Sequence, residues 1–263
     1  MSEPFPAIAE ASATGETADL FADIRATVGV RVVNLVWRHL ATLDGALPWA
    51  WAAVKPLYLD GLPDQAARHF RETMAIPRLA SLAGDEPASV EAVLASYDHS
   101  NTINLFALGS LVAWLRGEAV AGPAPLGGAR LPAPDVTLPP LASEADLSPE
   151  TWSLVLRLNL FGDRPQPLIL ASMYRHLAHA PAFLQRVEGA LAPAQADGAL
   201  ERAIIANRAV AHETAKHLAK AISTQTPALA GKIESGVSGF VDHAIGKMVT
   251  ICRAIRVARG GAL

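Results

Sequence analysis

Cysteine is nearly absent from this 263-residue chain: Cys252 stands alone, so no intramolecular disulfide can form and a reducing compartment suits the protein. Charge is sparse at 18% of residues, with a net of −3 and scattered Lys and Arg, which gives no footprint for nucleic acid. No apolar run escapes interruption by Arg, Asp or Pro before about 18 residues, so a membrane-spanning helix is not expected. Met1-Ser2-Glu3-Pro4 offers neither a basic start nor an apolar stretch, and the expected location is the cytoplasm. There is no glycine-rich phosphate loop, no Gly-x-Ser-x-Gly elbow and no Cys-x-x-Cys. His212 and His217 stand five apart, not the four that would bring both to one metal on a helix face. Neither cofactor nor metal is expected.

What is present is apolar material, 51% of the chain, and an internal echo. Trp37-Arg38-His39-Leu40-Ala41 returns as Tyr174-Arg175-His176-Leu177-Ala178. Nine of 25 pairs are identical when residues 37–61 are laid on 174–198, against roughly two by chance. Asp98-His99 and Asp242-His243 repeat at a similar offset. Two markers in the same order indicate an internal duplication, and since no stretch alternates with period two the chain reads as all-α, with two pseudo-symmetric helical repeats of about 120 residues each.

The expected order is an arm over 1–17, repeat 1 over 18–117, a Pro/Gly-rich linker over 118–146, and repeat 2 over 147–263. In repeat 1, Asp19 is a candidate cap for a first helix, and residues 30–43 read as a helix apolar almost all round. Helices over 47–58 and 63–76 follow. The strongest helical period covers 87–116 and stops at Gly117. Ser148-Pro149-Glu150-Thr151 has N-cap chemistry, and helices over 168–179, 182–195, 200–223 and 231–258 complete repeat 2.

The stripe of the 87–116 helix carries two amides, Asn101 and Asn104, where the second repeat has Ile245 and Met248. A buried amide without partners costs on the order of 1–3 kcal/mol, so each must bond backbone or side chains, or else hold water or a polar ligand. Asp98 and Asp242 are candidate catalytic carboxylates, set against a local hydrogen-bonding role inherited by duplication. His39, like His176, either makes symmetric structural hydrogen bonds or serves as a base, since imidazole titrates near neutrality.

Leu20-Phe21-Ala22-Asp23-Ile24-Arg25, the run from Val33 through Arg38-His39-Leu40-Ala41-Thr42-Leu43, and Leu47-Pro48-Trp49-Ala50-Trp51 resemble the group I 2-haloacid dehalogenase family over roughly residues 18–258. Ala95 to Leu111 looks like that family's Asn-bearing helix, and Ser172 to Ala178 like the segment that carries its catalytic Asp. The resemblance implies hydrolysis without a covalent intermediate, in which an Asp activates water that an Asn helps to hold, inside an apolar pocket. Carried across, the Asn is Asn101 and the Ser before the Asp is Ser172, while the Asp itself falls on Met173. The pocket Trp falls on Val32, a pocket aromatic on Leu35, and a Tyr on Asn104. A thioether cannot take a proton from water. Three expectations follow. One is a hydrolase or lyase-like enzyme acting on a small carboxylate, with Asp98, Asp242 or His39 as the replacement base. Another is a non-catalytic protein that binds a small organic acid or other small apolar ligand. The third is dehalogenation itself with a relocated base. The apolar composition and the resemblance both point to a homodimer.

Overall fold

The computed structural model describes residues 6–163 and 169–261. Among the described residues there are eleven α-helices and no strand: α1 Gly15–Val28, α2 Leu35–Leu40, α3 Ala46–Leu59, α4 Leu62–Thr73, α5 Ala88–Leu115, α6 Pro149–Asn159, α7 Ser172–Leu177, α8 Pro181–Ala196, α9 Ala199–Leu218, α10 Ala230–Gly239 and α11 Gly246–Ala258. The fold is all-α. No helix among the described residues is long and apolar enough to cross a membrane.

The longest helix, α5, spans roughly 42 Å at 1.5 Å per residue and is shared between two cores. Its Ile103, Phe106, Leu108 and Leu111 join α1–α4, where Trp37 and Tyr58 are fully buried. Its first turns, through Val90, Val93 and Leu94, join α6–α8 around Tyr174, Phe183 and Leu184. The C-terminal helices divide in the reverse order. Ile233, Val237 and Phe240 enter the first core, whereas Ile251, Cys252 and Ile255 of α11 enter the second. Each such Leu, Ile or Phe contributes about 1.5–3 kcal/mol on burial, so the exchange of helices ties the two cores into one body.

Four elements differ from the sequence expectation. The helix expected over 30–43 is confined to Leu35–Leu40. Val33 N–H donates to Glu10 Oε1 at 2.7 Å, and Asn34 lies at ψ 147, so a carboxylate distant in sequence holds the β-branched run out of the helix. The helix expected over 168–179 is Ser172–Leu177; residues 164–168 lie outside the described residues. Here Asn159 clips the backbone open, donating to Ile169 O at 3.1 Å and accepting from Ala171 N at 2.9 Å. The last expected helix is interrupted by a π-helical turn over Phe240–Ile245 between α10 and α11. Such turns recur at functional sites because the extra residue re-aims the side chains beside it. The first helix begins at Gly15, ahead of Asp19.

Caps match their chemistry where the sequence marks them. Ser148 Oγ accepts from Thr151 N at 3.3 Å with Pro149 at N1, and Gly117 takes the left-handed φ of +70 just past α5. Residues 118–143 contain no helix and run over the surface. They are fastened by Gly128 N to Asp60 O, by Leu131 N to Asp64 Oδ1 and by Arg130 to Thr27 O.

Candidate functional site

A cavity of about 60 Å³ lies where α2, α5, α7 and the π-turn meet. At ~15 Å³ per water position this is room for about four waters or one small acid. The middle of α5 presents Tyr97 and Asn101 one turn apart, with Ser96 and Ser100 beside them. The α2 segment supplies Val32, Leu35 and Arg38, and the α7 segment supplies Ser172, Met173 and His176. Phe240, Ile245 and Met248 close the far wall, and Leu138 and Leu141 of the surface segment cover it.

The walls are held from behind. Asn104 uses every hydrogen-bonding position of its amide. Its Oδ1 accepts from Trp37 Nε1 (3.3 Å) and Tyr58 Oη (2.6 Å), and its Nδ2 donates to Asn34 Oδ1 (3.1 Å) and Ser100 O (2.8 Å). This fixes α2 and α3 against α5, with Trp37 edge-on to Trp51 at 5.4 Å. The Asn159 clip sets the approach to α7 in the same way.

Four polar groups face into this apolar setting. Asn101 is buried and its amide has no hydrogen-bond partner among the described residues. Arg38 makes no ion pair among the described residues, and its buried Nε has no hydrogen-bond partner. Burial pushes the Tyr97 phenol up, an effect that the Ser172 hydroxyl beside it and the charges of Arg38 and Arg175 partly offset. His176 is held neutral. Burial lowers it from 6.5 to about 4; the Pro139 carbonyl opposes the shift, and the positive charge of Arg175, His179 and Arg38 adds to it.

The sequence-derived residues divide. Val32, Leu35, Asn101, Ser172 and Met173 line this one cavity. Asn104 does not, and with its amide saturated it has nothing left to offer a ligand. None of the three candidate bases lines it either. Asp98 is buried under Arg256 (2.8 Å), Arg71 (3.4 Å) and Arg253 (3.5 Å), three guanidiniums that converge on its Oδ2. Asp242 borders a separate groove between α5 and α9, with Arg116 at 3.9 Å. His39 turns away to Pro6 O (2.8 Å) beside Gly236 on α10. Sequence reasoning missed the pairing of Arg38 with His176. Both belong to the repeated Arg-His-Leu-Ala segment, but the cavity takes the Arg of one copy and the His of the other, while Arg175 donates to Ala142 O at 2.7 Å.

Among the described residues no cluster of His, Cys, Asp and Glu is arranged to hold a metal ion. Cys252 is buried at 3.4 Å from Leu94 O, and burial pushes its thiol well up, so it is not a nucleophile.

The fold is that of the D-2-haloacid dehalogenases. A D-2-haloacid dehalogenase mutant in complex with D-2-CPA superposes with a TM-score of 0.75 at 16% identity, covering 98% of this chain and 97% of that one. A D-2-haloacid dehalogenase in complex with L-LA gives 0.74 at 17% identity with the same coverage. At these identities the likeness is one of fold. No family model matches the sequence, and no curated protein matches it.

Proposed function

We propose that this is a 2-haloacid-dehalogenase-like protein whose cavity receives a small carboxylic acid. The observation that carries the reading is Arg38: a permanent cation without an acid partner among the described residues, at the edge of an apolar chamber. A guanidinium in a low-dielectric site recruits an anion, and its planar fork matches a carboxylate. With the carboxylate on Arg38, C2 and its substituents lie against Val32, Leu35 and Met173, and the unpartnered Asn101 amide meets a polar substituent or a water. The structural neighbours described with D-2-CPA and L-LA support the same ligand class. The order of the repeated markers and the exchange of helices between the cores favour an origin by duplication, with the cavity between the copies.

Binding without turnover is the second reading, favoured by Met173, which is buried and has no proton acceptor strong enough to activate water. Thermal shift separates carboxylate recognition from apolar binding. D- and L-2-chloropropionate should raise the melting temperature, 2-chloropropionamide should not, and Arg38→Gln should abolish the rise. Saturation at about 100 times Kd adds about 2.7 kcal/mol. Equal stabilisation by acid and amide would reject the carboxylate site.

A further inference from the structure

Around Asp98 the charges do not balance. Arg71 of α4 and Arg253 and Arg256 of α11 reach its Oδ2, and Arg256 and Arg259 reach Glu91. Four guanidiniums thus share two carboxylates, and no other carboxylate pairs with any of them among the described residues. The carbonyl end of α11, which stops at Ala258, offsets about half a charge. More than one positive charge is left over.

That excess is held partly inside the protein. Side-chain exposure is 8% for Arg253, 16% for Arg259, 18% for Arg71 and 24% for Arg256, with Asp98 more deeply buried at 6%. Charges so enclosed are screened little by salt. Burial lowers the Arg71 guanidinium from its ordinary value; Asp98 opposes the shift, and the charges of Arg253 and Arg256 add to it. Donors also remain open. Arg71 donates through Nη2 to Asp98 O at 2.9 Å, and Arg253 reaches Asp98 through Nη1. Nη1 of Arg71 and Nη2 of Arg253 have no hydrogen-bond partner among the described residues, and neither is enclosed as the Nε of each is. Both guanidiniums flank the same oxygen, so these two open donors belong to one place.

We propose that Arg71 and Arg253 form a site for a phosphate-type dianion, either inorganic phosphate or a small phosphate monoester, in the field of Arg256 and Arg259. The charge selects the class. A phosphate monoester carries about −1.5 to −2 at neutral pH and offers three acceptor oxygens, enough for forks brought in from two different helices. A monocarboxylate leaves part of the positive charge uncompensated. The anion joins α4 to α11 across Asp98. None of the four arginines lines the cavity that holds Arg38, and the inference does not rest on that residue.

The test is calorimetry and thermal melting of the full chain with phosphate, glucose 6-phosphate, sulfate, acetate and chloride at one ionic strength. Support is saturable one-to-one binding of the dianions with a rise in melting temperature, absent with acetate and chloride. Arg71→Gln and Arg253→Gln should each weaken that binding at least tenfold, and Arg38→Gln should leave it within twofold. Asp98→Asn, which removes a competing charge, should bind phosphate more tightly than the wild type and gain more melting temperature from it. The ester binding more tightly than phosphate makes the ester the ligand, and the reverse makes it free phosphate; both support the site. An unsaturable rise of equal size in the wild type and Arg71→Gln overturns it, since phosphate and sulfate stabilise folds in general by exclusion from the surface. Loss of binding in Arg38→Gln alone also overturns it and puts the anion in the cavity. Should Arg253→Gln not fold, Arg71→Gln and Arg71→Lys decide. Lysine keeps the charge and loses the fork, so its affinity should fall between those of the wild type and Arg71→Gln, and equal affinity in all three overturns the site.

Discussion

Asn101 and Asn104 stand three residues apart on α5 in opposite hydrogen-bonding states: all four amide positions of Asn104 are filled, and none of those of Asn101 is filled among the described residues. Two amides that look equivalent in the sequence therefore do different work. One fastens three helices together, and the other opens onto a chamber.

Asn104→Ala should destabilise the fold by about 2–4 kcal/mol, because Trp37 Nε1–H and Tyr58 Oη–H lose their acceptor inside the core. Asn101→Ala should stay within about 1 kcal/mol of the wild type, yet weaken binding of a 2-hydroxy or 2-halo acid by roughly tenfold. Urea unfolding beside ligand titration reads both effects. Equal destabilisation by the two variants would show that the distinction is wrong.

Asp98→Asn tests the assignment of that carboxylate to architecture. It would leave Arg71, Arg253 and Arg256 crowded together without their counter-charge, at a cost of about 3–5 kcal/mol. Any turnover per folded molecule should remain unchanged. A stable but inactive Asp98→Asn would return the residue to the list of bases.

Acid should weaken the fold through His176. Its folded value of about 4 lies below the ordinary 6.5, so between those values the unfolded chain binds the extra proton. The contribution is complete above about pH 6.5 and is lost as pH falls towards 4. At 1.36 kcal/mol per pH unit this amounts to roughly 2 kcal/mol between pH 7 and pH 5. His99, lowered chiefly by burial, acts in the same direction. Denaturant midpoints at pH 7 and pH 5 should lie closer together in His176→Asn than in the wild type, and an equal gap in the two proteins would contradict a neutral buried imidazole.

Gly61→Ala should loosen the surface segment. Gly61 sits at φ +68, and a Cβ there would meet the carbonyl of Gly128. The left-handed backbone alone costs about 1–2 kcal/mol with a side chain, and the contact adds to it. Limited proteolysis within residues 118–143 should accelerate, and unchanged resistance would show that the Asp60–Gly128 contact does not anchor the segment.

The helices with an unbroken period, α5 above all, and the Ser148 cap were legible in the sequence because their causes are local. The α2 and α7 segments were not. Val32-Val33 and Ile169-Leu170-Ala171 are apolar enough for a buried helix, and what holds them extended comes from Glu10 and Asn159. The same limit governs the site. Asp98 reads as a candidate base until three arginines from α4 and α11 are folded onto it. His39 and His176 share one tetrapeptide, so only tertiary neighbours tell which ring reaches the cavity.

The connection from α5 to α6 does more than join two halves. It supplies Leu138 and Leu141 to the chamber, and its Pro139 carbonyl dictates which nitrogen of His176 bears hydrogen. Spacing along this strap is therefore chemical information. Residues added near Gly122 would only lengthen a surface rope. One residue added between Leu131 and Pro139 would draw that carbonyl off the ring and free the imidazole to exchange tautomers.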